Sequence, residues 1–135
     1  MTNPDSIEGL VHEWETHEQQ ANNFGAAWYE SRSRTALELG HPTLAYNIAK
    51  RGQIRFRENI DIGYLLALSL ARGGSSGSAA DQLKLLRDTM RADHRRYMEV
   101  LALSGRIAKD NYTKLKGGHR LRAAKQSAAY YTQAF

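Results

Sequence analysis

The chain has 135 residues, one domain's worth, of which 41% are apolar, enough for a modest core. It has no cysteine, which excludes disulfides, thiolate zinc sites and a thiol nucleophile. Its apolar stretches run to about ten residues, short of the roughly 20 that cross a bilayer, so no membrane span is expected. The net charge of +5 is unevenly spread: residues 1–30 carry six acids and no Lys or Arg, and all 19 bases lie in residues 31–135 against eight acids. An acidic opening is the reverse of a secretory leader, and with the missing cysteines it points to a cytoplasmic protein.

Good helix formers dominate and few segments alternate with period two, so the fold class is all-α. The first helix is predicted over 6–20, opened by Asp5 with Glu8 three residues on, with Ile7, Leu10, Val11 and Trp14 on one face. The second is predicted over 22–39, with Phe24, Ala27, Trp28, Ala36 and Leu37 as apolar contacts and Gly40 just past its end. Pro42 suits the first turn of a third helix over 42–56. The fourth, over 60–72, is apolar nearly all round through Ile62, Leu65, Leu66, Leu68 and Leu70, which marks it as the central buried helix. Gly73-Gly74-Ser75-Ser76-Gly77 breaks it, and Ser78 with Asp81 is capping-box-like for a fifth helix over 79–90. A sixth is expected from near Asp93 to about 113, a loop with Gly117-Gly118 follows, and a last helix over 121–135 brings the total to about seven.

An internal period organises these helices. Ser33 aligns with Ala67, Gly40 with Gly74, Ala45 with Ala79, Ala49 with Leu83 and Gly52 with Leu86, each offset by 34 residues. That is the length of the tetratricopeptide helix–turn–helix unit. Antiparallel helices approach closely only where small residues face each other. Ser33 with Ala45, and Ala67 with Ala79, supply such pairs, each 12 residues apart. In the third unit the best small residues are Gly105 and Ala124, which are 19 apart, so its loop is longer. The expected architecture is a tetratricopeptide-like stack of antiparallel helix pairs, a right-handed α-solenoid. An acidic N-terminal helix at 1–21 precedes a repeat domain at 22–135, with units of about 22–58, 59–92 and 93–135.

The stretch GHPTLAYNIAKRGQIRFRENIDIGYLLALSLARGGSSGSAADQLKLLRD resembles degenerate tetratricopeptide repeats of bacterial proteins, of the kind called the TRAFs-binding region after mitogen-activated kinase kinase kinases. The stretch EVLALSGRIAKDNYTKLKGGHRLRAAKQSAAYYTQAF is similar to that family's following unit, with Gly105-Arg106 and Lys109-Asp110 on one helix and Ala134-Phe135 closing the next. Family members usually continue past this point, which marks the chain as a piece of a longer protein. The resemblance implies partner binding in a signalling or regulatory setting and does not imply catalysis.

The residues themselves offer little chemistry. His12-Glu13-Trp14-Glu15-Thr16-His17 is close to the zinc-protease pattern, but histidines five apart sit about 140° apart around a helix. The Gly73–Gly77 run lacks a following Gly-Lys-Ser/Thr and is preceded by a helix, so it is a turn and not a phosphate loop. No catalytic group, cofactor or metal site is expected, and the chain is read as no enzyme. In a stack of this type the first helix of each pair lines the concave groove. Glu30, Arg34 and Leu37 would face it from the first pair, Asp61, Tyr64, Leu68 and Arg72 from the second, and Glu99, Arg106, Lys109 and Asp110 from the third. The partner-binding residues singled out are Arg34, Tyr64, Leu68, Arg72, Arg106 and Lys109. Their basic cast suits an acidic peptide or a C-terminal carboxylate. The function expected is thus a protein–protein interaction scaffold. The alternatives are a nucleic-acid-binding helical domain using bases such as Arg87, Arg95 and Arg96, or the regulatory region of a larger signalling enzyme. Nucleic acid is the less favoured partner, and the uncapped last helix leaves self-association open.

Overall fold

Two glycines show how the repeat is written into the backbone. Gly40 and Gly74, 34 residues apart, both adopt a left-handed conformation, with φ of +79° and +88°. A side chain would strain this conformation, and glycine adopts it freely. Around Gly40 the His41 N–H donates to the Ala36 carbonyl at 2.9 Å and the Gly40 N–H to Leu37 at 3.0 Å. Around Gly74 the Ser75 N–H donates to Leu70 at 2.8 Å and the Gly74 N–H to Ala71 at 3.2 Å. These are the paired bonds of a Schellman helix end, made twice at equivalent positions.

A computed structural model describes residues 6–20 and 24–114. Among them are six α-helices and no strand: α1 Ile7–Gln20, α2 Ala26–Glu38, α3 Pro42–Arg55, α4 Ile60–Arg72, α5 Ser76–Thr89 and α6 Tyr97–Lys114. The all-helical reading therefore stands. The predicted last helix, Ala124 and the Gly117-Gly118 loop lie outside the described residues. Each helix packs on the next from α1 to α6. In addition α4 touches both α2 and α6, so α4 is the central element, as its all-round apolar sequence implied.

Several predicted helix starts move. The residue before α1 is Ser6, whose hydroxyl accepts from the Gly9 N–H at 3.1 Å; the expected cap, Asp5, lies outside the described residues. Helix α2 starts at Ala26 with Gly25 as its N-cap, and Ala27 is exposed, not a core contact. Helix α5 begins at Ser76, because the Gly74 turn delivers the chain directly into it. Ser78 and Asp81 are thus inside the helix and do not cap it. Only α4 has a side-chain cap of the expected type among α2 to α5: the Asn59 side chain accepts from the Ile62 N–H at 2.9 Å.

The small residues that define the period meet in the core. Ser33, Ala45, Ala67 and Ala79 are all fully buried. Ala67 and Ala79 share one cluster with Leu83, Leu86, Val100, Leu103 and Ile107, while Ala45 lies in a second with Leu10, Ala36, Leu37 and Leu65. The closest helix approaches exchange partners between repeats. Gly52 of α3 lies against Tyr29 of α2, and Gly63 of α4 lies against Leu86 of α5. Tyr29 and Gly63 are 34 apart, as are Gly52 and Leu86. Each crossing therefore joins one glycine to one large side chain, with the roles reversed.

Helix α1 docks on α2 through aromatic rings. His17 stacks on Trp14, Phe24 and Trp28, with centroids 4.8 to 5.0 Å apart, and its Nε2 lies 2.9 Å from the Tyr29 hydroxyl. Glu13 accepts from the Trp28 indole at 3.1 Å and from Arg32 Nε at 3.0 Å. The two histidines of the zinc-like motif are thereby separated: His17 is buried in the stack and His12 is exposed.

Candidate functional site

Helices α2, α4 and α6 are neighbours, α4 packing against both of the others. The chain enters α6 through a turn at 91–96, so this helix starts at Tyr97 and not near Asp93. His94 makes the turn: its Nδ1 accepts from the Arg96 N–H at 3.0 Å, and its carbonyl accepts from the Tyr97 N–H at 2.9 Å. This geometry delivers Arg95 and Arg96 to Asp61.

Arg96 is the hub of a charge network. Its Nε donates to Asp61 Oδ1 at 2.7 Å, its Nη1 to Glu99 at 2.8 Å, and its Nη2 lies 3.8 Å from Glu30. The guanidinium also lies over the Tyr64 ring, 5.5 Å from the centroid. Arg95 adds a bond to Asp61 at 2.6 Å, and Arg34 one to Glu30 at 3.2 Å. One acid from each of α2, α4 and α6 thus meets a single side chain that is only 13% exposed.

The charges tune one another. Burial pushes the Asp61 carboxyl up, but the hydrogen bond from Arg96 and the charge of Arg95 outweigh it and hold the group below its ordinary value. Burial likewise disfavours charged Arg96, and its bonds to Asp61 and Glu99 reverse that, leaving it more basic than usual. Burial pushes the Tyr64 phenol up, helped by Glu99 and opposed by Arg96, Arg106 and Arg72.

The structure divides these predicted groove residues into four groups. Arg34, Glu30, Asp61 and Glu99 are engaged in the network, so their charges are already balanced internally. Leu37 does not face a groove: at 6% exposure it belongs to the core shared by α2, α3 and α4, because it sits on the side of α2 turned toward α3. Tyr64 and Leu68 are half-buried, Leu68 bridging the two core clusters. Arg72, Arg106 and Lys109 are exposed, and among the described residues no ion pair engages them. Arg72 and Arg106 both lie close enough to act on the Tyr64 hydroxyl.

Arg96 was not among the predicted groove residues. It was grouped with bases of a nucleic-acid patch, and that patch does not hold together at Arg95 and Arg96, whose charges are taken up by Asp61 and Glu99. Arg87 likewise donates to the Ser104 hydroxyl at 2.7 Å, and Arg91 pairs with Asp93 at 3.3 Å. The only sequence signal for the Arg95–Asp61 contact is its separation of 34 residues, one repeat.

The family model described as Tetratricopeptide Repeats-Sensor matches residues 9–135, and the chain belongs to that family. No curated protein and no solved structure matches the chain.

Proposed function

Taking a tetratricopeptide repeats-sensor protein as the premise, we propose that the chain is a non-catalytic interaction module. It holds a polypeptide, acidic where it makes contact, in a concave groove on the face of α2, α4 and α6. Tetratricopeptide-type repeats generally mediate contacts between proteins. The observation that carries the reading is the uneven charge of the face. The acids are neutralised by Arg34, Arg95 and Arg96, whereas Arg72 and Arg106 remain exposed beside Tyr64. In this reading Tyr64 and Leu68 form the floor, and Arg72, Arg106 and Lys109 grip carboxylates. Arg34 has a lesser part, as the brace of Glu30. A cytoplasmic, regulatory setting and the kinship with TRAFs-binding regions belong to the same proposal.

A labelled peptide with acidic residues and a free C-terminal carboxylate tests it by fluorescence anisotropy. Arg72→Glu/Arg106→Glu should weaken binding by roughly tenfold or more, and added salt should weaken it further. Arg34→Ala should change it by less than about twofold, since that charge is already paired. Unchanged affinity in the double charge reversal would reject the groove.

A further inference from the structure

We propose that the turn at 91–96 is an acid-sensitive latch, in which protonation of His94 loosens the hold of Arg96 on the carboxylates of α2, α4 and α6. The latch works within the turn and does not depend on the groove taking a peptide. Arg96 ties the three helices together: it bonds Asp61 of α4 at 2.7 Å and Glu99 of α6 at 2.8 Å, and it lies 3.8 Å from Glu30 of α2. Its backbone is set by His94, which makes three bonds across the turn. The His94 N–H donates to the Arg91 carbonyl at 3.0 Å, its carbonyl accepts from the Tyr97 N–H at 2.9 Å, and its Nδ1 accepts from the Arg96 N–H at 3.0 Å.

The last of these bonds exists in one protonation state only. A neutral imidazole has one bare nitrogen, and the Arg96 N–H requires it to be Nδ1. The imidazolium carries hydrogen on both nitrogens, and turning the ring over presents a C–H instead, so neither orientation accepts. Imidazole is the side chain that gains a proton between about pH 8 and 5, and His94 is half-buried, within reach of solvent. A single neutral hydrogen bond is too weak to withhold a proton across that range.

The charges around the ring balance. Arg57 and Glu58, from the link between α3 and α4, and Arg91 and Asp93, from the turn itself, line the cleft beside His94, two cations against two carboxylates. The residues that α3, α4 and α5 bring to that cleft are uncharged. Arg95 and Arg96 are paired with Asp61. Burial raises the Asp61 carboxyl, but Arg96 and Arg95 outweigh it and hold the group below its ordinary value, so Asp61 stays ionised while a histidine titrates. A change at Arg96 in this range therefore reports the histidine and not Asp61.

NMR of the full chain across this pH range tests the latch. Asn is the discriminating replacement: its Oδ1 accepts from the N–H two residues on, as Nδ1 does here, and gains no proton. At about pH 5 the Arg96 amide of the wild type should exchange with solvent roughly threefold to tenfold faster than that of His94→Asn, the range that one neutral hydrogen bond spans. At about pH 8 the two rates should agree. The Arg96 Nε–H resonance should move with the His94 ring signals in the wild type and stay in place in His94→Asn. Equal exchange rates in acid, an Arg96 Nε–H that ignores the His94 titration, or the same movement in His94→Asn would each overturn the latch.

Discussion

Arg96 shows what a single residue can do once the fold has placed it. Its bonds reach Asp61, 35 residues away, and Glu99, three residues away, and it lies 3.8 Å from Glu30. Removing it leaves partly buried carboxylates without their main donor, which costs more than the net worth of an intact pair. Arg96→Ala should therefore lower stability by about 1–3 kcal/mol in denaturant titrations, and Arg96→Lys should recover only part of the loss, because an ammonium lacks the planar fork that reaches two acids at once. Asp61 makes the same network pH-dependent. Its folded pKa is depressed, so its contribution is present above the unfolded carboxylate value and is lost as pH falls through the folded one. Thermal melts should show the gap between wild type and Asp61→Asn at its widest near neutral pH and closing from roughly pH 4 downward. A gap that widened in acid would contradict this assignment. The i,i+4 pair Glu30–Arg34 was readable from spacing alone. The Arg96 contacts were not, because no helical period links a turn residue to acids on two other helices.

At the scale of elements, the glycines divide by what surrounds them. A Cβ at Gly52 would come within 2.8 Å of Tyr29 Cβ, an atom fixed to the neighbouring backbone. One at Gly63 would come within 2.7 Å of the tip of Leu86, which can turn aside, and within 3.4 Å of the end of the Gln82 side chain. Gly52→Ala should thus cost about 1–3 kcal/mol by forcing α2 and α3 apart, and Gly63→Ala less. Gly77, exposed in the first turn of α5 with open space where its Cβ would be, is the opposite case. Gly77→Ala should stabilise by about 0.5–1 kcal/mol through helix propensity. Gly40→Ala has open space too, yet it should destabilise by about 1 kcal/mol, because its positive φ suits no side chain. A chemical-denaturation series over these four variants checks the order. The repeat offset already singled out Gly40, Gly74 and Gly52. It gave no hint of Gly63, since its 34-residue counterpart is an aromatic residue, Tyr29. Two of the helix starts moved for reasons of turn geometry: the Schellman end at Gly74 advances α5, and the His94 turn delays α6.

For the whole molecule, α1 packs on α2 near one end of the chain. It is held by Leu10 in the core shared with Ala36, Leu37 and Leu65, by the aromatic stack around His17, and by the Glu13 bonds to Trp28 and Arg32. Trp28→Ala removes the stack's centre and one of those bonds together. Amide hydrogen exchange in α1 should then speed up markedly while α4, packed on both sides, keeps its protection. Equal acceleration in both helices would show that α1 is integral to the core. The sequence by itself determined the helical class, the 34-residue period, the glycine turns and the central place of α4. Each of these follows from local preference or from a pattern repeated along the chain, and such patterns survive in one dimension. Only the tertiary structure decided that the acids of three helices converge on Arg96 and that Leu37 turns inward, leaving Arg72, Arg106 and Lys109 as exposed cations that no ion pair engages among the described residues. Charge pairing and burial depend on distances between segments, and no periodicity records those.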